Sequence, residues 1–391
     1  MKFNWLIACK IFCMFFLAFV TACKKDSSSQ PVPIAPIPDE SASIVPQILL
    51  NQENNQIYVN RKWQGIPSVE SSIDGRILVT WYSGGGGEGP GNYATVSSSK
   101  DHGLTWKKNI IIVAPAKNNY RIFDPGLWKD PHGNLHLFWA QSQSHWDNKG
   151  GVWNANITFV NDTIVCSAPK WITDGVMLNK PIVLKNTQQA LYPISVWPFQ
   201  PVSLDKSGAF IYSAEYQRSI NDYAAFTKKS RLPLNEKIRT ADEHQVAQLK
   251  DGRLLAFIRT NQGIYFCYSK DEGKSWSEPE QFKQLGATTS SRFHIQRLGS
   301  GNLLLVMNSS NSRDNLTVFL STDDGKTWPH RLLLDARSNT SYPDACQEKD
   351  GMIDIVYDRN RASDKEILLV RIHEKDLLAN NNLFKRIIVD K

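Results

Sequence analysis

The chain has 391 residues, with 45 Lys or Arg against 38 Asp or Glu, a formal net charge of +7 that includes lysines of an N-terminal leader. With no Lys/Arg block in the body, this balance argues against a nucleic-acid partner and leaves the basicity as a hint of anionic ligands. Twelve Trp and 10% aromatic residues supply the large side chains that packing between sheets needs, and a single repeat-built domain accounts for the length.

Residues 1–22 read as an export signal and are set apart from the fold. Lys2 and Lys10 flank the apolar run IFCMFFLAFV, which is too short for a stable membrane span. The run ends in Val20-Thr21-Ala22-Cys23, which resembles a bacterial lipobox. That resemblance implies a diacylated Cys23 in a cell envelope, with the lipid as the membrane contact; an ordinary cleaved signal is the alternative. Residues 23–46, rich in Ser and Pro, form an extended tether, and 47–391 form the folded part. Cys166, Cys267 and Cys346 remain there, too scattered for a disulfide framework and better read as small buried hydrophobes.

Within the folded part the chain repeats itself. Ser99–Trp106, Ser269–Trp276 and Ser321–Trp328 share the pattern Ser-x-Asp-x-Gly-x-Ser/Thr-Trp. Ser and Asp oxygens accept backbone N–H bonds inside a tight turn, and Gly103, Gly273 and Gly325 supply a positive φ. This is the Asp-box, found at the hairpin between the outer strands of a propeller blade. A second phrase, a turn followed by a strand, occurs at Asp74-Gly75-Arg76, Pro131-His132-Gly133-Asn134, Asp251-Gly252-Arg253, Ser300-Gly301-Asn302 and Asp350-Gly351, with a degenerate copy at 186–197. Six repeats of roughly 45 to 60 residues predict an all-β fold, a six-bladed β-propeller with Asp-box hairpins. A monomer is expected.

Two tempting motifs lead nowhere. Gly84, Gly86 and Gly89 satisfy G-x-G-x-x-G, but Pro90 and β-type residues follow where a dinucleotide site needs a helix, so the stretch reads as a mobile loop. His132 and His136 lack a further ligand nearby, and neither a metal nor a cofactor is expected. Trp63, Trp81, Trp128, Trp139, Trp146 and Trp153 crowd the first two blades as core, with one or two free to stack on a sugar at the mouth.

The second half carries a constellation. Glu243 begins the segment EHQVAQLKDGRLLAFIRT, which puts a carboxylate at the inner start of blade four and Arg259 at the end of its second strand. Arg313 precedes the last Asp-box, and Tyr342 opens the innermost strand of blade six. The starts of the first strands face the propeller axis, so these four side chains are expected to meet.

On these residues the chain resembles the bacterial sialidase (exo-neuraminidase) superfamily from about residue 60 onward. Glu243 ahead of the D-G-R-L strand ending in Arg259, Arg313 upstream of an Asp-box, and Tyr342 in YPDA match its motifs. The resemblance implies a retaining displacement in which Tyr342 attacks the anomeric carbon with Glu243 as its base, an exception to the usual pair of carboxylates. It implies Arg259 and Arg313 as two of three arginines around a substrate carboxylate. Two places depart from the family. Gln64-Gly65-Ile66-Pro67 has glycine where the family has the first arginine, and the acid aspartate is replaced by Glu88 in GGGGEGPGN. Arg61 or Arg121 is expected to supply the missing charge.

Two classes of function stay open. One is an exo-glycoside hydrolase that removes a terminal, acidic sugar from a glycan. The other is a non-hydrolytic carbohydrate binder, or a lyase that uses a Tyr/His pair on uronates, for which His244 beside Glu243 is the sequence support. Gly65 leads to the expectation of weak activity on common α-sialosides unless another arginine compensates.

Overall fold

The computed structural model describes residues 43–145, 150–198, 206–215, 226–381 and 383–391. The leader, Cys23, the tether as far as residue 42, and Trp146 lie outside the described residues. Six antiparallel sheets follow one another along the chain, each taking its strands in sequence order from the inside outward. The innermost strands are Trp63–Ser71, Tyr120–Lys129, Ile182–Val183, His244–Gln248, His294–Arg297 and Thr340–Gln347. The strand Gln47–Leu50 adds to the outer edge of blade one by pairing with Lys107–Ala114. Blade one meets blade six through their innermost strands, which closes the ring.

The glycine-containing turns stand where the repeat places them, between the first and second strands of their blades, and the degenerate copy contains the second strand of blade three, Gln189–Val196. Each Asp-box joins the third and fourth strands. In the first, Ser99 Oγ accepts from Gly103 N–H at 2.8 Å while Asp101 Oδ1 accepts from Thr105 N–H at 2.9 Å, and the other two boxes repeat these bonds. Gly103, Gly273 and Gly325 take φ of 87°, 83° and 82°, a region costly for any residue with a Cβ. The box tryptophans pack against the preceding blade: Trp106 against Val356 and Leu369, Trp276 against Leu191 and Ile211, Trp328 against Leu255 and Phe257. The motif therefore recurs because each copy pins one blade to the next.

The core lies between blades, where alternate strand residues interdigitate, as Leu304, Val318, Ile355 and Val370 do between blades five and six. Near the axis, fully buried Asp344 accepts from Ser68 Oγ at 2.5 Å and Val69 N–H at 3.0 Å in blade one. Arg292 Nη2 at 3.3 Å, His294 Nδ1 at 2.9 Å and Lys180 Nζ at 3.4 Å complete its shell. Lys180, the His294 bond and Arg292 outweigh burial and hold this carboxyl far below the usual range.

Three innermost strands carry the same irregularity. Blades one, two and six each have a bulge, between Gly65 and Ser68, Phe123 and Gly126, and Ser341 and Asp344. At each, a residue with positive φ precedes a proline: Ile66 (60°), Asp124 (46°) and Tyr342 (55°). A bulge re-aims one side chain out of the strand's alternation, and strained backbone of this kind gathers at functional sites.

Candidate active site

Glu243 immediately precedes the innermost strand of blade four, and the Arg259 N–H donates to its carbonyl at 2.7 Å. This pairing brings the two side chains to one place. Arg259 Nη1 donates to Glu243 Oε1 at 2.8 Å and to Tyr342 Oη at 2.8 Å. The Tyr342 hydroxyl donates to the same Glu243 oxygen at 3.0 Å. Ser290 Oγ steadies Arg259 from the next blade, accepting from Nε at 3.2 Å. Burial pushes the Tyr342 phenol up to about 12, against the pull of Arg259, so the ring keeps its proton at neutral pH and has a carboxylate oxygen ready to take it. The second oxygen, Glu243 Oε2, is buried and has no partner among the described residues.

Arg313 projects from the loop after the second strand of blade five, its guanidinium carbon 5.1 Å from the centre of the Tyr342 ring. A further arginine, which sequence reasoning missed, lies closer. Arg361, just past the second strand of blade six, places its guanidinium carbon 4.4 Å from that ring and 6.0 Å from the Trp63 ring. A pocket of about 440 Å³ opens between Trp63, Arg313, Asn339, Ser341, Asn360 and Arg361. The other described tryptophans of the first two blades that the sequence singled out, Trp81, Trp128, Trp139 and Trp153, are buried in the core.

Of the two arginines expected to supply the charge missing at Gly65, Arg61 is committed within blade one and Arg121 lies beside Glu88. Arg61 is buried against Trp81, donates to Gln64 Oε1 at 3.3 Å and Asn109 Oδ1 at 3.0 Å, and pairs with Asp390 at 3.4 Å. It is a structural cation of blade one. Arg121 stacks on Phe123 at 3.9 Å and faces Glu88 at 3.6 Å, with its Nε and Nη1 making no hydrogen bond among the described residues.

Glu88 sits on the glycine-rich loop, exposed, between Arg121 and Arg361, the latter at 3.7 Å. Buried Asn92 fastens the loop's base by donating to the carbonyls of Ser83 and Gly87, each at 3.2 Å. A second carboxyl unassigned by the sequence, Asp124, occupies the bulge of blade two. Burial, and then the charges of Glu88 and Glu243, raise it to about 7. An acid held half-protonated near neutrality is a recognised mark of a working site.

His244, expected as a possible partner of the tyrosine, turns away from this cluster. Its Nε2 lies 2.8 Å from the Phe210 carbonyl and its Nδ1 3.0 Å from that of Asp242, and burial drives it down to about 4. The neutral ring belongs to the packing of blades three and four. No group of three or more potential metal ligands occurs among the described residues.

The fold and this axial cluster define a sialidase-like six-bladed propeller. The model of the BNR repeat-like domain family matches residues 75–355, and the chain belongs to that family. A sialidase of Bacteroides fragilis (strain YCH46) is 26% identical over 277 residues, 63% of this chain and 50% of the relative, so the chain spans half the length of that curated relative. Among solved structures, the Hadza microbial sialidase Hz136 aligns with a TM-score of 0.62 at 18% identity, over 81% of this chain and 66% of that one. The α-L-arabinofuranosidase Arb93A of Fusarium graminearum aligns at 0.61 and 13% identity, over 85% and 99%. Solved structures named for different glycosidases thus share this architecture.

Proposed function

We propose that this protein is an exo-acting, retaining glycoside hydrolase that removes a terminal carboxylate-bearing sugar from glycans. The observation that carries the reading is the contact of Tyr342, Glu243 and Arg259, in which one guanidinium nitrogen lies 2.8 Å from both the phenol and the carboxylate oxygen. Tyr342 Oη attacks the anomeric carbon, Glu243 Oε1 takes its proton, and Arg259 stabilises the negative charge that develops on the phenolic oxygen. A neutral nucleophile suits an anionic substrate, because it is not repelled by the sugar's carboxylate. Glu88 is assigned the proton donated to the leaving oxygen; water then releases the sugar with the same groups in reverse roles.

The arginines favour an acidic sugar over a neutral one, and relatives named as sialidases agree in class. The lyase alternative loses its sequence support, since both nitrogens of His244 face backbone carbonyls. Export and anchoring at Cys23 complete the proposal and place the enzyme in a bacterial envelope, acting as a monomer. The test is proton NMR during hydrolysis of an aryl α-sialoside. Retention in the first-formed sugar supports the reading, whereas inversion, or an unsaturated product absorbing in the ultraviolet, contradicts it.

A further inference from the structure

Gly65 is glycine for space. Its φ lies outside the left-handed region, yet a Cβ there would fall 2.7 Å from Arg361 Cδ, 2.8 Å from Nε and 2.9 Å from Cγ. The Arg361 side chain fills the volume that any other residue at 65 would claim. Asp358 holds the two together: its Oδ2 accepts from Arg361 Nε at 3.0 Å and from the backbone N–H of Ile66, next to Gly65, at 2.7 Å. Arg361 Nη2 reaches Ser341 Oγ at 3.4 Å, and Nη1 makes no hydrogen bond among the described residues. Its nearest acidic group on that side is Glu88 at 3.7 Å.

The neighbouring guanidinium groups also keep donors in reserve. Arg313 makes no side-chain hydrogen bond or ion pair among the described residues, and Arg259 commits Nε and Nη1 but not Nη2. Three cations therefore surround one phenol ring with donors unused. Desolvated guanidinium groups repel one another unless an anion takes up those donors, and a carboxylate matches their planar geometry.

We propose that Arg361, lying across the gap at Gly65, is a specificity-determining residue that takes the substrate carboxylate together with Arg259 and Arg313. The inference rests on the proposed hydrolase site but concerns recognition, not bond cleavage. The positive charge absent from the first blade comes from the sixth, and Gly65 and Arg361 act as a complementary pair. The weak activity on common α-sialosides expected from Gly65 unless another arginine compensates is then not expected.

The experiment is calorimetric titration with 2-deoxy-2,3-didehydro-N-acetylneuraminic acid and with its methyl ester, which removes the negative charge. The wild-type protein is expected to prefer the acid by about tenfold or more, and Arg361→Ala to lose about 10- to 100-fold of acid affinity with little change for the ester. Gly65→Ala, which displaces the guanidinium while leaving the residue present, is expected to show the same selective loss, and it decides the matter if Arg361→Ala does not fold. The double variant Gly65→Arg/Arg361→Ala, which returns a cation from the other strand, is expected to recover part of the preference; a merely structural Arg361 would not be rescued in this way. Equal binding of acid and ester by the wild type, or an undiminished acid preference in both single variants, overturns the proposal. Neither result depends on turnover, so hydrolysis with retention alongside such a result would leave the proposed reaction standing.

Discussion

At the scale of single residues, Glu243 and Arg259 of blade four and Tyr342 of blade six lie within 3.0 Å of one another. Glu243→Gln keeps the shape and removes the proposed proton acceptor, so kcat is expected to fall on the order of 10²- to 10⁴-fold with a smaller change in KM, measured on an aryl sialoside. Asp124 supplies a pH dependence. Its carboxyl is raised to about 7, so it is neutral below that pH and adds a negative charge beside Glu88 and Glu243 above it. KM for an acidic sugar is therefore expected to rise as pH passes through about 7, and Asp124→Asn to flatten that rise; an unchanged profile in the variant would count against it. That Glu243, Arg259, Arg313 and Tyr342 come together was legible in the sequence, because each is placed by the repeat at a strand start, a strand end or an adjoining loop that faces the axis. Arg361 was not. Its place depends on a side-chain volume left empty by Gly65 at the other end of the chain, and no local spacing records that.

At the scale of the element, the Asp-boxes fasten neighbouring blades and the bulges re-aim side chains of the innermost strands. Gly325 sits at φ 82° in a box whose tryptophan packs on blade four. Gly325→Ala forces a side chain into the left-handed region and is expected to cost about 1–2 kcal/mol in thermal or urea unfolding while leaving kcat unchanged. The boxes were readable because their pattern is itself the local structure, with Ser, Asp and Gly each serving one turn. The bulges were less so. Ile66-Pro67, Asp124-Pro125 and Tyr342-Pro343 look like ordinary strand residues until the register shows the extra residue that turns Asp124 and Tyr342 out of the strand alternation.

At the scale of the whole molecule, closure of the ring depends on charge near its axis as well as on apolar packing between blades. Asp344 ties Ser68 and Val69 of blade one to Arg292 and His294 on the blade-five side, all from blade six. Asp344→Asn keeps the volume but removes the buried counter-charge of Arg292 and leaves Lys180 with Glu70 alone, and a loss of about 3–5 kcal/mol is expected on unfolding. An unfolding midpoint equal to that of the wild type would show that apolar packing alone closes the ring. Blade number was predictable from the repeat, whereas this hub was not, because its members come from different blades and follow no period. Whether Tyr342 is the nucleophile of an enzyme for acidic sugars is read by mass spectrometry after incubation with a 2,3-difluorinated sialic acid, which slows release of a covalent sugar. One sugar on the peptide containing Tyr342, absent in Tyr342→Phe, is the predicted result; a hydrolytically active protein with no adduct, or with its adduct on another residue, would contradict the account.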